Sequence, residues 1–499
     1  MNAGRLSRRD VLKGAAVAGV ASLGVVRNGA AFADDEAIDV GRRRQLFVDS
    51  HLIASTSGVT QLLHEPVRRE IAIGPEHPWE QYGVSYMVTF RDGEKFRAWY
   101  RVDAADFNKG GRNSMTAYAE SDDGVHWHKP QLGLIDFNGS KENNLVWDGG
   151  AANLAPFRDD NPACPPEARY KAIGRKGDVF GLVSPDGLRW ELASETPILT
   201  ERPFDSHNIA FWDAETGQYV AYTRGIRTDG PLGQAMESKF KSGVRWVRRA
   251  TSQDFVHWSE LEPIETGEAP REEFYTNATI RYERAPDYLL MFPSRFASAR
   301  EPIPGWKHGK GVNDIAFLTS RDGIHFDRTF MEAFIRPGMD PGNWHERSLY
   351  MERGILQTSP TELSLYCMQN WRLPSVHIRR YTLRPDGFVS MRAGYAGGEF
   401  VTPPLRFSGN RLELNVSTSA VGWVKVEVLD AEGQPVPRFT ADDCEELFGD
   451  KLDAEVRWAA GTDCSVLSGR PIRLRFLMSD ADLYALRFSE ATFGGKPAE

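Results

Sequence analysis

The sequence predicts an all-β protein in two parts, a five-bladed β-propeller followed by a β-sandwich, and three observations carry this expectation. One short turn is written four times, about 65 residues apart: SDDGVHW at 121–127, SPDGLRW at 184–190, SQDFVHW at 252–258 and SRDGIHF at 320–326. Between the turns lie short runs rich in aromatic and β-branched residues, the composition of strands. After about residue 393 the period stops, while alternating strands continue without it.

A period of this size marks supersecondary units that must stack to bury a face. Between Ser206 and Leu261 the chain reads HNIAFWD, a turn AETGQ, YVAYTR, a long polar loop, VRWVRRATS, the repeated turn and HWSELE. These are four short strands, A to D. Residues 275–328 fit the same template with TNATIRYE, YLLMFPSR, DIAFLTS and HFDRTF. Repeated four-stranded units are propeller blades. Their starts fall near Tyr82, Asn153, His207, Tyr275 and Arg347, which makes five. The fifth turn, RPDGFVS at 384–390, keeps Asp-Gly but loses the Ser and the aromatic. The turn sits between strands C and D. Its Ser and Asp can bond the turn backbone, Gly accepts positive φ, and Trp packs between blades. The repeated motif is therefore read as structural.

The propeller is assigned to residues 75–392 and the sandwich to 393–492, on strands such as RLELNVS, GWVKVEVLD and PIRLRFLM. Residues 34–74, including QLFVDSHLIA, should supply a closing strand to the last blade or clamp the two domains together. Residues 1–33 read as an export signal: paired arginines in SRRDVLKG, the apolar run AAVAGVASLGVV, and AFA before Asp34. The run is too short to span a membrane. The Ser-Arg-Arg-x-x-Leu-Lys pattern resembles a twin-arginine signal. The expected location is periplasmic or secreted, reached through the twin-arginine machinery, with no transmembrane anchor in the mature chain.

The 499 residues carry a formal charge of −9, and loss of residues 1–33, with five basic groups and one acid, takes it to −13. That balance argues against a nucleic-acid or anionic-membrane partner. The four cysteines form no C-x-x-C motif. Cys444 and Cys464 could pair after export or stay as buried thiols. The histidines are scattered, without H-x-x-x-H or H-E-x-x-H, and no phosphate-cradling Gly loop or dinucleotide fingerprint stands out. No metal and no cofactor are expected.

The S-x-D-G-x-x-W turns, the HPWEQYGVS entry to blade 1 and the sandwich tail resemble the five-bladed glycoside hydrolases related to families 32 and 43. The resemblance covers roughly residues 75–490. It implies a carbohydrate substrate and a pocket on the propeller axis, at the end where each innermost strand begins. The chain lacks W-M-N-D-P-N-G at blade 1 and clean R-D-P or E-C motifs. Catalytic residues are therefore read from blade alignment.

That alignment places Asp159, in FRDDNP, opposite Asp213 at the far end, and discards it. Acids left at the mouth are Glu80, Asp205, Glu272, Glu273 and Glu346, while blade 2 offers only Asp148 and Asn153. Glycosidic hydrolysis needs one carboxyl group as proton donor and another as base or nucleophile. Asp205 and Glu273 are the favoured pair, with Glu80 and Glu346 next. A second register is basic: strand B ends in WYR, IGR, YTR, PSR and NWR, placing Arg101, Arg175, Arg224, Arg295 and Arg372 at equivalent positions. Guanidinium groups there either bind an anionic ligand or orient the acids. His207, Asn208, Tyr275, Asn277, His345 and Trp371 also fall at the mouth, and Trp371 suits sugar stacking. The expected function is hydrolysis of a poly- or oligosaccharide, acidic and sulfated ones included, by general acid/base carboxylate catalysis at the propeller axis. A glycoside phosphorylase and a non-catalytic carbohydrate-binding propeller are the alternatives.

Overall fold

The structure is a computed structural model that describes residues 37–105, 114–150, 152–227 and 243–490. The expected export signal lies outside the described residues. Among those described, no helix is long and apolar enough to cross a membrane.

The five blades are present. Blade 1 runs Gly83–Asp92, Lys95–Asp103, Ser114–Ser121 and Leu145–Trp147, an antiparallel meander in sequence order. Blades 2 and 3 repeat it, with A strands Ala152–Arg158 and Ile209–Asp213 and B strands Tyr170–Lys176 and Gln218–Arg227. Blade 4 is interrupted. Its B strand splits into Leu289–Met291 and Ser294–Ala297 at Pro293, which has no N–H to donate to a ladder.

Blade 5 is built from Leu349–Met351, Glu362–Gln369 and His377–Leu383, and its outermost strand is Val67–Ile73 from the other end of the chain. The N-terminal segment pairs with both parts of the chain. Before closing blade 5 it pairs Gln45–Leu46 with the long strand Arg473–Ser489, Ser55–Ser57 with Gly398–Val401, and Val59–Leu63 with Val389–Ala393. Ile38–Gly41 lies parallel to Leu405–Phe407. The second unit is thus a mixed β structure sharing strands from both ends of the chain. Its long strands Arg411–Leu429 and Arg473–Ser489 pair along most of their length. Their alternate residues, among them Leu414, Val426, Phe476 and Leu486, bury one continuous apolar core. Cys444 and Cys464 lie in that core as separate thiols.

The repeated turn has one geometry. Ser121 Oγ accepts from the backbone N–H of Gly124 at 2.8 Å, and Asp123 Oδ1 accepts from those of Val125 and His126 at 2.7 and 2.8 Å. Ser184 with Asp186, Ser252 with Asp254, and Ser320 with Asp322 repeat these bonds. The turn also joins blades. The Gly187 carbonyl accepts from Trp99 Nε1 of blade 1 at 2.6 Å, and the Gly323 carbonyl from the Tyr222 hydroxyl of blade 3 at 2.9 Å. The Gly124 carbonyl accepts from Tyr366 of blade 5.

Candidate active site

The strand starts and the B-strand ends converge on a cavity of about 700 Å3 at one end of the propeller axis. Among the described residues, its wall holds six cationic side chains, Arg101, Arg175, Lys176, Arg224, Arg245 and Arg347, and a single carboxylate, Asp205. Tyr86, Tyr275, Tyr350 and Trp371 supply the aromatic surface.

Asp205 precedes strand A of blade 3, and its side chain is 44% exposed, whereas that of Arg224 beside it is 1% exposed. The Tyr275 hydroxyl donates to Asp205 Oδ2 at 3.0 Å, the Ser206 N–H donates to Oδ1 at 3.0 Å, and Arg224 Nη1 stands 3.7 Å away. Burial alone would push this carboxyl up. Arg224 and Arg175, with the Tyr275 and Ser206 hydrogen bonds, outweigh it and hold Asp205 below the usual carboxylate range. It is therefore an anion at neutral pH. Asn208 fixes this corner, donating to the Asp205 carbonyl at 2.6 Å and accepting from the Arg224 N–H at 3.0 Å.

The other predicted acids lie outside the cavity wall. Glu80 is buried in a short 3-10 turn, where it accepts from Tyr100 at 2.7 Å, Lys129 at 2.9 Å and the backbone of Glu76 at 2.9 Å. Those bonds fix the entry to blade 1. Glu273 is 2% exposed and ion-pairs with Arg245. Glu346, 4% exposed, pairs with Arg372 at 2.8 Å and Arg347 at 2.7 Å. Glu272 is engaged by Arg295 and Arg328, both at 2.8 Å.

The arginine register divides. Arg101, Arg175 and Arg224 reach the cavity wall, whereas Arg295 is held by Glu272 and Asp314 and Arg372 by Glu346. Arg101 is braced by Asp103 at 2.8 Å and by Asn153 Oδ1 at 3.2 Å. Tyr275 and Trp371 line the cavity. His207 is buried behind Tyr86, 5.4 Å between ring centroids, and burial lowers it to about 3, so it is neutral. Asn277 donates to the His207 carbonyl at 3.1 Å. His345 is fully buried, stacked on Trp306 at 3.7 Å and bonded to the Glu346 carbonyl. Asp148 is not in the wall, but Asn153 is. Asp159 sits at the far end, paired with Lys171 and Tyr219.

Sequence reasoning did not select Arg245, Arg347, Tyr86 or Tyr350. Tyr86 and Tyr350 did leave a signal: both precede a Met in strand A, in SYM and LYM. They read as core residues of an apolar strand. In the structure Tyr350 stacks between Tyr86, at 5.3 Å, and Tyr275, at 5.2 Å. Burial first of all raises the pKa of all three phenols, so they remain protonated. Arg245 lies at the start of the strand Val244–Ser252, Arg347 stands two residues before Leu349–Met351, and neither belongs to a repeated register. Arg245 is lowered to about 10, by burial and then by Arg224, which reflects crowding of like charges.

The backbone is unusual here too. Tyr86, Asn153 and Arg347 of the wall, and Arg372 behind it, have φ of 52°, 61°, 65° and 64°. Non-glycine residues in this region cost about 1–3 kcal/mol each and persist where the surroundings fix them, which is common at binding sites. Among the described residues no cluster of His, Cys, Asp and Glu could hold a metal ion.

No family model and no curated protein matches the chain. Solved structures do. A structure described as a complex of BT0996 with RGII is 16% identical, with a TM-score of 0.44, covering 65% of this chain and 93% of its own. A glycosyl hydrolase from Bacteroides ovatus is 17% identical at a TM-score of 0.39, covering 71% and 96%. A structure described under the GH130 family of mannoside phosphorylases, said to contain glycoside hydrolases that target β-1,2 mannosidic linkages in Candida mannan, is 16% identical at 0.40, covering 71% and 96%. Similarity at this level does not settle chemistry, which must be argued from the site.

Proposed function

We propose that this chain is an exported enzyme that hydrolyses a glycosidic bond in an acidic glycan, with Asp205 as its catalytic carboxylate. One observation carries the reading: among the described residues, six cationic side chains and one exposed carboxylate surround an axial cavity in a chain whose overall charge is −9. An anionic saccharide is the ligand that such a wall attracts, since guanidinium groups pair bidentately with carboxylate or sulfate. The aromatic surface suits the apolar faces of sugar rings.

Asp205 is ionised, so it suits the base or nucleophile half of the two-carboxyl scheme better than the proton donor. Glu273 and Glu346 are assigned to orienting Arg245, Arg347 and Arg372, with Glu80 holding the entry to blade 1. Among the described residues the cavity wall holds no second carboxylate, which favours one alternative, phosphorolysis, in which inorganic phosphate attacks in place of water. Both reactions need a protonated group for the leaving oxygen, but only hydrolysis needs a base to activate water, and the ionised Asp205 suits that role.

The test is a reducing-sugar assay of the mature protein against neutral, uronic and sulfated glycans, with and without phosphate. Release from acidic glycans alone, independent of phosphate, supports the reading. Release from neutral glycans only, or strict phosphate dependence, overturns it. Export is tested by replacing Arg8 and Arg9 together with Lys; undiminished translocation would sink the twin-arginine assignment.

A further inference from the structure

We propose that Lys176 sets the specificity of the axial cavity: its ammonium binds a carboxylate or sulfate of the saccharide, at the lip formed by blade 2 and next to the bond that Asp205 serves. This rests on the acidic-glycan reading above and names the residue that reads the charge.

The wall cations do not share one task. Arg101 is held by Asp103 at 2.8 Å, Arg347 by Glu346 at 2.7 Å, and Arg245 by Glu273. Arg224 stands 3.7 Å from Asp205, and Arg175 acts on the same carboxylate through its charge. Each of these arginines serves an acid of the protein itself. Lys176 differs. Among the described residues its ammonium has no ion pair and no hydrogen bond, although it lines the same cavity. An ammonium carries three donors. With no acid of its own, it can take a ligand anion without breaking an existing pair, a step that is costly for a buried one.

Local structure keeps it available. Lys176 ends strand B of blade 2 and pairs across the ladder with Asp178, with only Gly177 between them. Asp178 is the acid nearest to it in sequence, yet its carboxylate is taken by Arg202, which donates to both oxygens at 2.5 and 2.8 Å. The Lys176 stem lies along Gly150 instead, on the approach to strand A. A Cβ built on Gly150 would touch Lys176 Cε at 3.6 Å and Nζ at 3.8 Å. Gly150 has a φ of 83°, which suits glycine, and glycine offers no side-chain acceptor there. The ammonium is thus left at the lip of the cavity. Arg175, the residue before it, is the one whose charge reaches Asp205. Consecutive strand residues rise about 3.3 Å, less than the span of one sugar unit. An anion on Lys176 therefore belongs to the sugar at the scissile bond or to its neighbour. A lysine suits this position, because its flexible stem follows a ligand charge that a guanidinium fork would accept in fewer geometries.

The experiment is calorimetric titration of the full mature chain with three probes: α-1,4-digalacturonic acid, its fully methyl-esterified form, and a sulfated chondroitin-type disaccharide. It is repeated on Lys176→Gln, on Lys176→Arg and, as a control, on Lys141→Gln, which alters an exposed lysine outside the cavity wall. The acidic probe that the parent binds best should lose roughly tenfold or more in affinity in Lys176→Gln, the loss of one charge-assisted contact. Lys176→Arg should recover most of that loss, and the neutral ester should not notice either change. Which acidic probe responds identifies carboxylate or sulfate. On a glycan that the parent cleaves, Lys176→Gln should raise KM more than it lowers kcat, the mark of binding lost equally from ground and transition states. Tm should not move, because the side chain is exposed. If Lys176→Gln binds the acidic probe as tightly as the parent, loses as much for the ester, or loses no more than Lys141→Gln, this inference is overturned while the acidic-glycan reading stands. If the parent binds the ester as tightly as either acidic probe, or binds none of the three, that reading falls as well.

Discussion

The two ends of the propeller obey opposite rules. At the end that carries the repeated turns, four blades write nearly the same seven residues and make the same hydrogen bonds. At the axial mouth blades 1 to 3 share an arginine at the end of strand B and differ in what surrounds it: blade 1 adds Tyr86, blade 2 Asn153, and blade 3 Asp205 and Arg245. Repetition marks what every blade needs in order to stack. Its loss marks where the blades divide labour around one ligand. The exceptions at the repetitive end make the same point. In blade 3 the turn glycine is replaced by Phe255, which keeps the left-handed φ of 70° beside glycines at 70°, 75° and 83°. Its ring joins the apolar cluster that includes Ile173 of blade 2, at the strand-B position where blades 1 and 3 carry Trp99 and Tyr222. With no N–H or O–H there to reach the turn carbonyl, packing replaces the hydrogen bond.

If the mouth is the chemical end, the largest effect of any single substitution belongs to Asp205. Asp205→Asn keeps shape and removes the charge. On a glycan that the parent cleaves, kcat should fall by about 100- to 10,000-fold, the range for a lost general base. Tm should change little, since the side chain is half exposed. Undiminished turnover would remove the carboxylate from the mechanism. Unchanged glycan binding without turnover in either protein would point to a binding propeller.

The degenerate fifth turn tests the structural end. Asp386 is fully buried, and it accepts from Tyr282 at 2.8 Å, Arg284 Nε at 2.9 Å and Asn415 Nδ2 at 3.1 Å, with Arg44 at 3.2 Å. Arg44 comes from the N-terminal segment and Asn415 from the second unit, so this turn has become the joint between the two parts. The turn still meets blade 4 through Tyr282 and Arg284, and it adds the contacts to the N-terminal segment and the second unit. Burial pushes the Asp386 carboxyl up, but Arg284 and Arg44 outweigh it and hold it below its ordinary value. A depressed folded-state pKa contributes stability that is present above the unfolded value, about 3.9, and is lost as pH falls below it. Asp386→Asn should cost about 3–5 kcal/mol at neutral pH, the cost of leaving buried cations unpaired. It should also flatten the loss of stability on acidification, measured by denaturant unfolding across pH. A neutral-pH stability within experimental error of the parent would remove this carboxylate from the joint.

The sequence disclosed the fold through periodicity, and it disclosed the site only where periodicity continued. Arg101, Arg175 and Arg224 were found because the WYR, IGR and YTR registers recur, and Asp205 because it precedes an A strand. The same register promised Arg295 and Arg372 as ligand-facing groups. Whether a register arginine faces ligand or a neighbouring acid depends on Glu272, Asp314 and Glu346, which approach from other loops. Glu273 stands at a strand start along the chain, yet only the fold shows that Arg245 covers it. Tyr86 and Tyr350 were hidden because an aromatic residue in an apolar strand looks the same whether it packs in the core or lines a cavity. These are long-range, side-chain-level facts, and strand patterning does not encode them.

The smallest effect separates two residues of one turn. Asp254 Oδ1 accepts from the N–H groups of Val256 and His257 at 2.9 and 2.8 Å, while Oδ2 meets His257 Nδ1 at 2.7 Å. The same His–Asp contact recurs at His126 and His325, which makes it look like part of the design. Yet the His257 side chain is 86% exposed, and exposed ion pairs are worth about 0–1 kcal/mol because water and salt screen them. The backbone bonds are different. Removing Asp254 leaves two turn N–H groups without their fixed acceptor, a loss of about 1 kcal/mol or more. In denaturant unfolding at neutral pH, Asp254→Ala should therefore shift the midpoint measurably, and His257→Ala should scarcely move it. Neither should alter turnover at the mouth. If His257→Ala proves the more damaging of the two, the motif works through its surface ion pair rather than its backbone bonds. The contrast between a structural end and a chemical end would then need redrawing at the turns themselves.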